Sequence, residues 1–203
     1  MTRGTRLASL VLASLVLAAG ASRRFGSDKL SAVLDGEPLV FHAIRAARAA
    51  PVSRVLVVAG PSLDCGTWEG DPPVETLRIA SGALSESLKA GISALSEADG
   101  VFVFLGDMPR VPYGEAGRLA EAIGSGNAAL PRHNGLPGHP VLLSRRLLPE
   151  ILTLTGDQGA GRLLRGRADV VFVDSADPAI HLDIDRPEDL SKLEGAEPPS
   201  SRT

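Results

Sequence analysis

The chain has 203 residues, 21 basic and 24 acidic side chains, a formal net charge of -3 and 44% hydrophobic residues. That balance excludes a disordered chain, and it excludes a protein whose main work is gripping nucleic acid by neutralising phosphates. A single cysteine, Cys65, excludes an internal disulfide and any cysteine-rich metal centre, so a reducing, cytoplasmic setting is expected. Aromatic residues make up only 3%, so the core is expected to be built from Ala, Val and Leu.

The first segment reads two ways. Arg3 and Arg6 precede an apolar run from Leu7 to Ala19, with small residues at Ala19 and Ala21, which is the outline of a secretory signal peptide. The run is too short to cross a bilayer as a helix, and no membrane partner is expected. Within it, Leu7 to Val11 repeats as Leu12 to Val16. The competing reading is a buried strand over Leu12 to Leu17 feeding a Gly-containing loop; a strand covered on both faces is continuously apolar. The strand is preferred, because the loop makes chemical sense only with the strand attached. Residues 1–11 then form an N-terminal extension.

Next come a helix over Pro38 to Ala50, with Leu39, Ala43, Ala46 and Ala47 on one face, and a buried strand over Val55 to Ala59. Residues 60–73 form a Gly-, Pro- and Asp-rich loop. A strand over Val74 to Ile79, a helix over Ser85 to Ala98 and a strand over Val101 to Leu105 follow, then a helix over Tyr113 to Ile123. Short strands are expected at Asn127 to Leu130 and His139 to Leu143, helices at Arg145 to Leu154 and Gly159 to Leu164, and strands at Val170 to Val173 and Ile180 to Ile184. A last helix starts at Pro187 and ends at Leu193, and the polar tail 194–203 reads as disordered. No linker interrupts residues 12–193, which read as one domain. Alternating strands and helices give an α/β fold of three layers, a mostly parallel sheet with helices on both faces. Ligands in such sheets bind beyond the C-terminal strand ends.

Three segments at those ends carry chemistry. Leu17, Ala18, Ala19, Gly20, Ala21 and Ser22 leave the first strand with small residues at five of these six positions, followed by Arg24 and Lys29. Such a backbone can wrap an anion, and two cations suit a triphosphate; neither GxxxxGK(S/T) nor GxGxxG is present. The alternative is a Gly-containing turn with solvated basic residues. Gly106-Asp107-Met108-Pro109 ends the VFVFL strand, where an Asp could hold Mg2+ against phosphates or merely shape a turn. In Asp183 to Asp189, Asp183 and Asp185 share one side of an extended segment and could complete a metal site, while Glu188 and Asp189 suit the first turn of a helix.

Taken in order, these motifs identify the chain as similar to the MobA-like nucleotidyltransferase family, and most closely to its molybdenum cofactor cytidylyltransferase branch. The family loop LAAGxSxRMGxxK stands here as Leu17 to Lys29, with Phe25 in place of Met; GDxP stands as Gly106 to Pro109, and DIDTPED as Asp183 to Asp189, with Arg186 in place of Thr. Gly82 to Leu88 is similar to GLSxSL, Gly138-His139-Pro140 to GHP, and Gly156 to Ala160 to the start of GDxGAR. The Arg of GDxGAR is Gly161 here, with Arg162 next; a one-residue shift on a helix turns a side chain by about 100°.

The resemblance implies a nucleotide-diphospho-sugar transferase-like, Rossmann-like fold. It implies transfer of CMP from CTP to molybdenum-loaded molybdopterin with Mg2+ and release of pyrophosphate. By the same resemblance Arg24, Lys29 and Asp107 are catalytic, and Leu17 to Ser22, Lys29 and Ser81 bind nucleotide. His139 and Asp157 bind the acceptor, and Asp107 and Asp185 hold metal. Ala19 goes with CTP, where Gly would go with GTP. A molybdenum hydroxylase would receive the product. Rival readings are the same chemistry with GTP or another phosphorylated acceptor, and a non-catalytic cofactor-delivery protein. His42, His133 and His181 are expected to pack, Cys65 to have no role, and Trp68 to pack its loop or serve a lid.

Overall fold

A computed structural model describes residues 10–20, 25, 28–80 and 83–193. Most of the expected N-terminal extension and all of the tail 194–203 therefore lie outside the described residues. The chain runs β1 (Leu12–Ala18), β2 (Val33–Leu34), β3 (Glu37–Pro38), α1 (Leu39–Arg48), β4 (Arg54–Ala59), β5 (Val74–Arg78), α2 (Leu84–Ala94) and β6 (Gly100–Leu105). It continues through α3 (Glu115–Ala122), β7 (Ala128–His133), β8 (Leu136–Pro137), β9 (Val141–Ser144), α4 (Leu148–Ile151), α5 (Ala160–Leu164), β10 (Val170–Asp174) and α6 (Pro187–Leu193).

Among the described residues, the main sheet has the order β10-β7-β9-β6-β1-β4-β5, with β8 paired to β7. β1 runs parallel to both β4 and β6, β5 parallel to β4, and β10 parallel to β7; only β9 and β8 bring antiparallel pairings. The apolar run at the start of the chain is thus the central strand, bonded on both sides in register Leu15 to Leu56 and Leu15 to Val103. From β1 the chain moves outward to β4 and β5, then returns to β6 on the other side. This reversal of strand order opens a crevice between the C-terminal ends of β1 and β6.

Alternate residues of the strands feed two cores. Leu12, Val16 and Ala18 of β1, Val55 and Val57 of β4, and Phe102 and Phe104 of β6 pack under the apolar face of α1 and under Leu119 of α3. On the α1 face, Leu39, Ala43, Ala46 and Ala47 are all buried, as the helical spacing predicts. Ala13 and Leu15, Leu56 and Val58, and Val101 and Val103 pack on the other side with Leu88 and Ile92 of α2 and residues of α4 and α5. Ser14 interrupts the apolar run and is fully buried; its Oγ donates to the Ala47 carbonyl at 2.9 Å. That carbonyl lies in the last turn of α1, where a helix leaves its C=O groups without intrahelical partners.

Some expected elements differ. Ile180 to Ile184 is not a strand: Pro178–His181 is a 3-10 turn, and the extended chain after it bonds to loops, Ile180 O accepting from His139 N and Ile184 N donating to Asp107 O. The expected helix over Arg145 to Leu154 is a 3-10 turn, Arg145–Leu147, followed by the four residues of α4 with Pro149 in its first turn. α2 stops at Ala94, short of Ala98, and α3 begins at Glu115 rather than Tyr113. Trp68 packs its loop: its ring meets Phe41 edge-on at 5.5 Å, its Nε1 donates to Cys65 O at 2.7 Å, and Arg45 and Arg48 lie over it. His42, His133 and His181 each pair a ring nitrogen with a backbone carbonyl. Among the described residues no helix is long and apolar enough to cross a membrane.

Ser14→Ala strips the buried Ala47 carbonyl of its donor and should lower unfolding free energy by about 1–3 kcal/mol in urea titrations. Burial pushes the Cys65 thiol above its ordinary pKa. The native protein should therefore resist aromatic disulfide reagents at pH 8, and the thiol should react in step with urea unfolding.

Candidate functional site

The loops that leave β1 and β6 are joined at their base by Gly106 N donating to Leu17 O at 2.9 Å. Beyond that bond Ala19 and Gly20 line one wall of a cavity of about 290 Å3. Lys29, Leu84, Ser87, Leu105, Asp107 and Asp157 complete much of its lining. Lys29 opens a 3-10 turn, Lys29–Ser31, capped by Asp28, whose carboxylate accepts from Leu30 N at 3.3 Å and from Ser31 Oγ at 2.9 Å. The backbone that carries Lys29 is therefore fixed locally, and its side chain reaches across the cavity floor.

The Lys29 ammonium lies 2.8 Å from Asp107 Oδ2 and 3.4 Å from Asp185 Oδ1, with the lysine side chain only 12% exposed. Asp107 is aimed by the turn after β6, where Met108 N donates to Leu105 O at 3.2 Å. Asp185 is carried to it because Ile184 N donates to Asp107 O at 2.9 Å and the Ile184 side chain is buried. The start of α6 is held by Asp189, whose Oδ2 accepts from Asp185 N at 3.2 Å and Arg186 N at 3.0 Å; this is the helix-terminal role the sequence suggests for it. Asp183 stands at the rim. Burial raises its carboxyl pKa, and the charges of Asp185 and Asp107 push the same way.

Among the described residues no group of three His, Cys, Asp or Glu side chains is placed to hold a metal ion. Asp107 and Asp185 nonetheless offer two carboxylates that converge on one cation. Mg2+ is commonly held by one or two carboxylates, with phosphates and waters supplying its other oxygens, and this pair fits that donor set.

A second cavity, of about 210 Å3, adjoins the first and shares Leu17, Leu84 and Leu105 with it. Its walls are apolar apart from His139 and include Leu88, Val103, Leu130 and Val141. His139 is set by its backbone: its N donates to Ile180 O at 2.9 Å, and Gly138 N donates to Pro131 O at 2.8 Å. Its buried Nδ1 has no hydrogen-bond partner among the described residues, and burial depresses the imidazole pKa. Gly138 is required here, because a Cβ would come 2.5 Å from Ile180 O. Gly161 forms part of the cavity wall, while Arg162 is exposed, so the one-residue shift leaves this wall without a cation.

Of the residues singled out by sequence, Leu17, Ala19, Gly20, Lys29, Asp107, Asp157 and Asp185 gather at the first cavity, and Ala18 sits at the end of β1 behind it. His139 belongs to the second cavity, and Asp157 lies in the first rather than beside it. Ala21, Ser22, Arg24 and Ser81 lie outside the described residues. The sequence reading missed Asp28 as the cap that fixes Lys29, although Asp-Lys-Leu-Ser is a usable cap signal. It also missed Leu84 and Leu105 as the partition between the cavities.

The model of the MobA-like NTP transferase domain matches residues 14–171. The chain belongs to that family. It is a nucleotidyltransferase by family. The purine catabolism protein PucB of Bacillus subtilis strain 168 is 28% identical over 91% of this chain and 97% of its own length. The molybdenum cofactor cytidylyltransferase of Escherichia coli strain K12 is 35% identical over 55% of this chain and 56% of its own. Among solved structures, a homologue of Mycobacterium tuberculosis rv0371c from Mycobacterium sp. strain JC1 superposes with a TM-score of 0.75 at 30% identity, covering 90% of this chain and 94% of that one.

In this MobA-like chain Gly138→Ala should lower stability by about 1–3 kcal/mol, because the added methyl meets a backbone carbonyl that cannot move aside alone. Gly161→Ala, whose Cβ would meet nothing within 4 Å, should leave stability unchanged or raise it. Thermal unfolding of the pair checks the contrast.

Proposed function

We propose that this nucleotidyltransferase transfers CMP from CTP to molybdenum-loaded molybdopterin. The observation that carries the reading is the junction of two unlike cavities. One holds Lys29 and the Asp107–Asp185 pair, and the other is apolar apart from His139. The first suits the phosphates of a nucleotide. The second is where the family resemblance places the acceptor, with His139 in its wall. The likeness to the Escherichia coli cytidylyltransferase supports the same acceptor class and the same base.

The chemistry is phosphoryl-group substitution. An oxygen of the acceptor phosphate forms a bond to the α-phosphorus, the bond to the bridging oxygen of the β-phosphate breaks, and pyrophosphate leaves with that electron pair. The nucleophile is already an anion, so no side chain has to remove a proton. The chain's task is to bring anions together in line and to offset their repulsion. Lys29 supplies a cation at the cavity floor, and Arg24 a second from the loop. By the family resemblance, backbone N–H groups of Ala18 to Ser22 would cradle the phosphates, Ala19 would go with CTP, and Ser81 would touch the base. Asp157 borders the phosphate side of the junction and His139 the ring side. Asp107 and Asp185 would hold Mg2+, which when bound screens phosphate charge and acts as a Lewis acid. A molybdenum hydroxylase is the expected recipient of the product, and the cytoplasm the expected place.

A second reading has one observation in its favour. The Gly161 wall lacks the Arg found at that place in GDxGAR, which suits a different phosphorylated acceptor, with CTP or GTP as donor.

Pyrophosphate release separates these readings. With Mg2+ and molybdate-loaded molybdopterin, CTP should be consumed in preference to GTP. Lys29→Ala and Asp107→Asn should each lower kcat/KM on the order of 10²–10³-fold. A GTP preference would overturn the assignment of the base. No release with either nucleotide, from folded protein that still binds CTP, would overturn the acceptor.

A further inference from the structure

The position between Asp107 and Asp185 is filled by a group of this chain. Lys29 Nζ sits 2.8 Å from one carboxylate and 3.4 Å from the other, and its side chain is far less exposed than either partner, 12% against 26% and 49%. A divalent cation shared by these carboxylates needs oxygen contacts of about 2.0–2.1 Å, so it and the ammonium cannot occupy that point together. The ammonium can leave. Asp28 caps the turn that carries the Lys29 backbone, but the four-carbon stem is flexible, and the same cavity that would hold the phosphates lies directly beside it.

We propose that Lys29 is a placeholder cation: in the nucleotide-free enzyme it keeps Asp107 and Asp185 together and keeps divalent metal out, and triphosphate draws it off so that metal enters with the nucleotide. The proposal rests on the nucleotidyltransferase reading of this cavity and adds an order of assembly to it. Two carboxylates held this close without a counter-charge would repel. The lysine supplies that charge before substrate arrives, then offers the same charge to the phosphates. One side chain thus preorganises the metal site and reports, by leaving, that the phosphates are in place.

The measurement is Mn2+ binding, followed by loss of the free-ion electron paramagnetic resonance signal, in wild type, Lys29→Met and Lys29→Gln, with and without α,β-methylene-CTP. A competitor that fills the site nine-tenths of the time weakens apparent affinity about tenfold. Without nucleotide, both variants should therefore bind Mn2+ about tenfold or more tightly than wild type, although both lose catalysis. Adding Asp185→Asn to Lys29→Met should abolish that gain. Circular dichroism and thermal unfolding establish that the variants are folded, and two uncharged replacements guard against the failure of one. Equal or weaker Mn2+ binding by both folded variants would overturn the placeholder. The nucleotide arm tests the underlying reading separately. Beyond the Mn2+ that the analogue binds in a protein-free control, wild-type affinity for Mn2+ should rise with the analogue; no such rise, beside tightened binding in the variants, would sink the nucleotide assignment and leave the Lys29 competition standing.

Discussion

Between β1 and β6 the ladder ends at one bond, Gly106 N to Leu17 O at 2.9 Å, and past it the chain leaves the two strands by separate loops. That separation follows from connectivity. The central strand has its next neighbour in sequence on one side and a later strand on the other, so the loops at its C-terminal end cannot both follow the same path. Everything placed in the crevice depends on this. Gly20 and Lys29 come from the loop after β1, and Asp107 from the loop after β6. Asp185 arrives because the Ile184 N–H finds its acceptor on Asp107. Four points along the chain meet because a parallel sheet changes direction once.

The charges that meet there would not do so unaided. Asp107, Asp183 and Asp185 are drawn into one corner, and the raised pKa of Asp183 records the resulting repulsion together with burial. Lys29 offsets part of it at contact distance. Partly buried ion pairs contribute little net stability once desolvation is counted, so the Lys29 contacts are better understood as fixing geometry than as holding the fold together. The fold draws its stability from the two apolar layers on either side of β1, which a few large side chains, Phe102 and Phe104 among them, anchor amid Ala, Val and Leu.

Strands β4 and β6 were legible because burial on both faces leaves almost wholly apolar runs at Val55 to Ala59 and Val101 to Leu105. The N-terminal run was ambiguous because a buried strand and a signal core have the same composition. What distinguishes them is pairing with β4 and β6, a long-range property. Ile180, Leu182 and Ile184 misled for a related reason. Their alternation is that of a strand, but their backbone groups bond to His139 and Asp107 in separate loops, so the segment is a strap with no ladder. Pro149 breaks the helix expected around it because it suits only the first turn of α4. At the site, the placement of Ala19, Gly20 and Asp107 beyond strand ends was legible from the sequence. The partners of Lys29 were not, since Asp107 and Asp185 lie 78 and 156 residues further along the chain.

The division of the crevice into two chemically unlike cavities has a local cause that also limits what the site can accept. Leu17, Leu84 and Leu105 are shared by both linings, and they separate a region of charged side chains from one whose single polar group is the imidazole of His139. The Nδ1 of His139 is buried without a hydrogen-bond partner among the described residues, and a polar atom taken out of water keeps its desolvation penalty until it is hydrogen-bonded. Gly138 makes that placement possible by letting the backbone pass against Ile180 O. Each polar group of an acceptor that entered the second cavity without finding a partner would cost free energy against Leu88, Val103, Leu130 and Val141. An acceptor that used both cavities would therefore need apolar surface on one side of the leucines and polar or charged groups on the other.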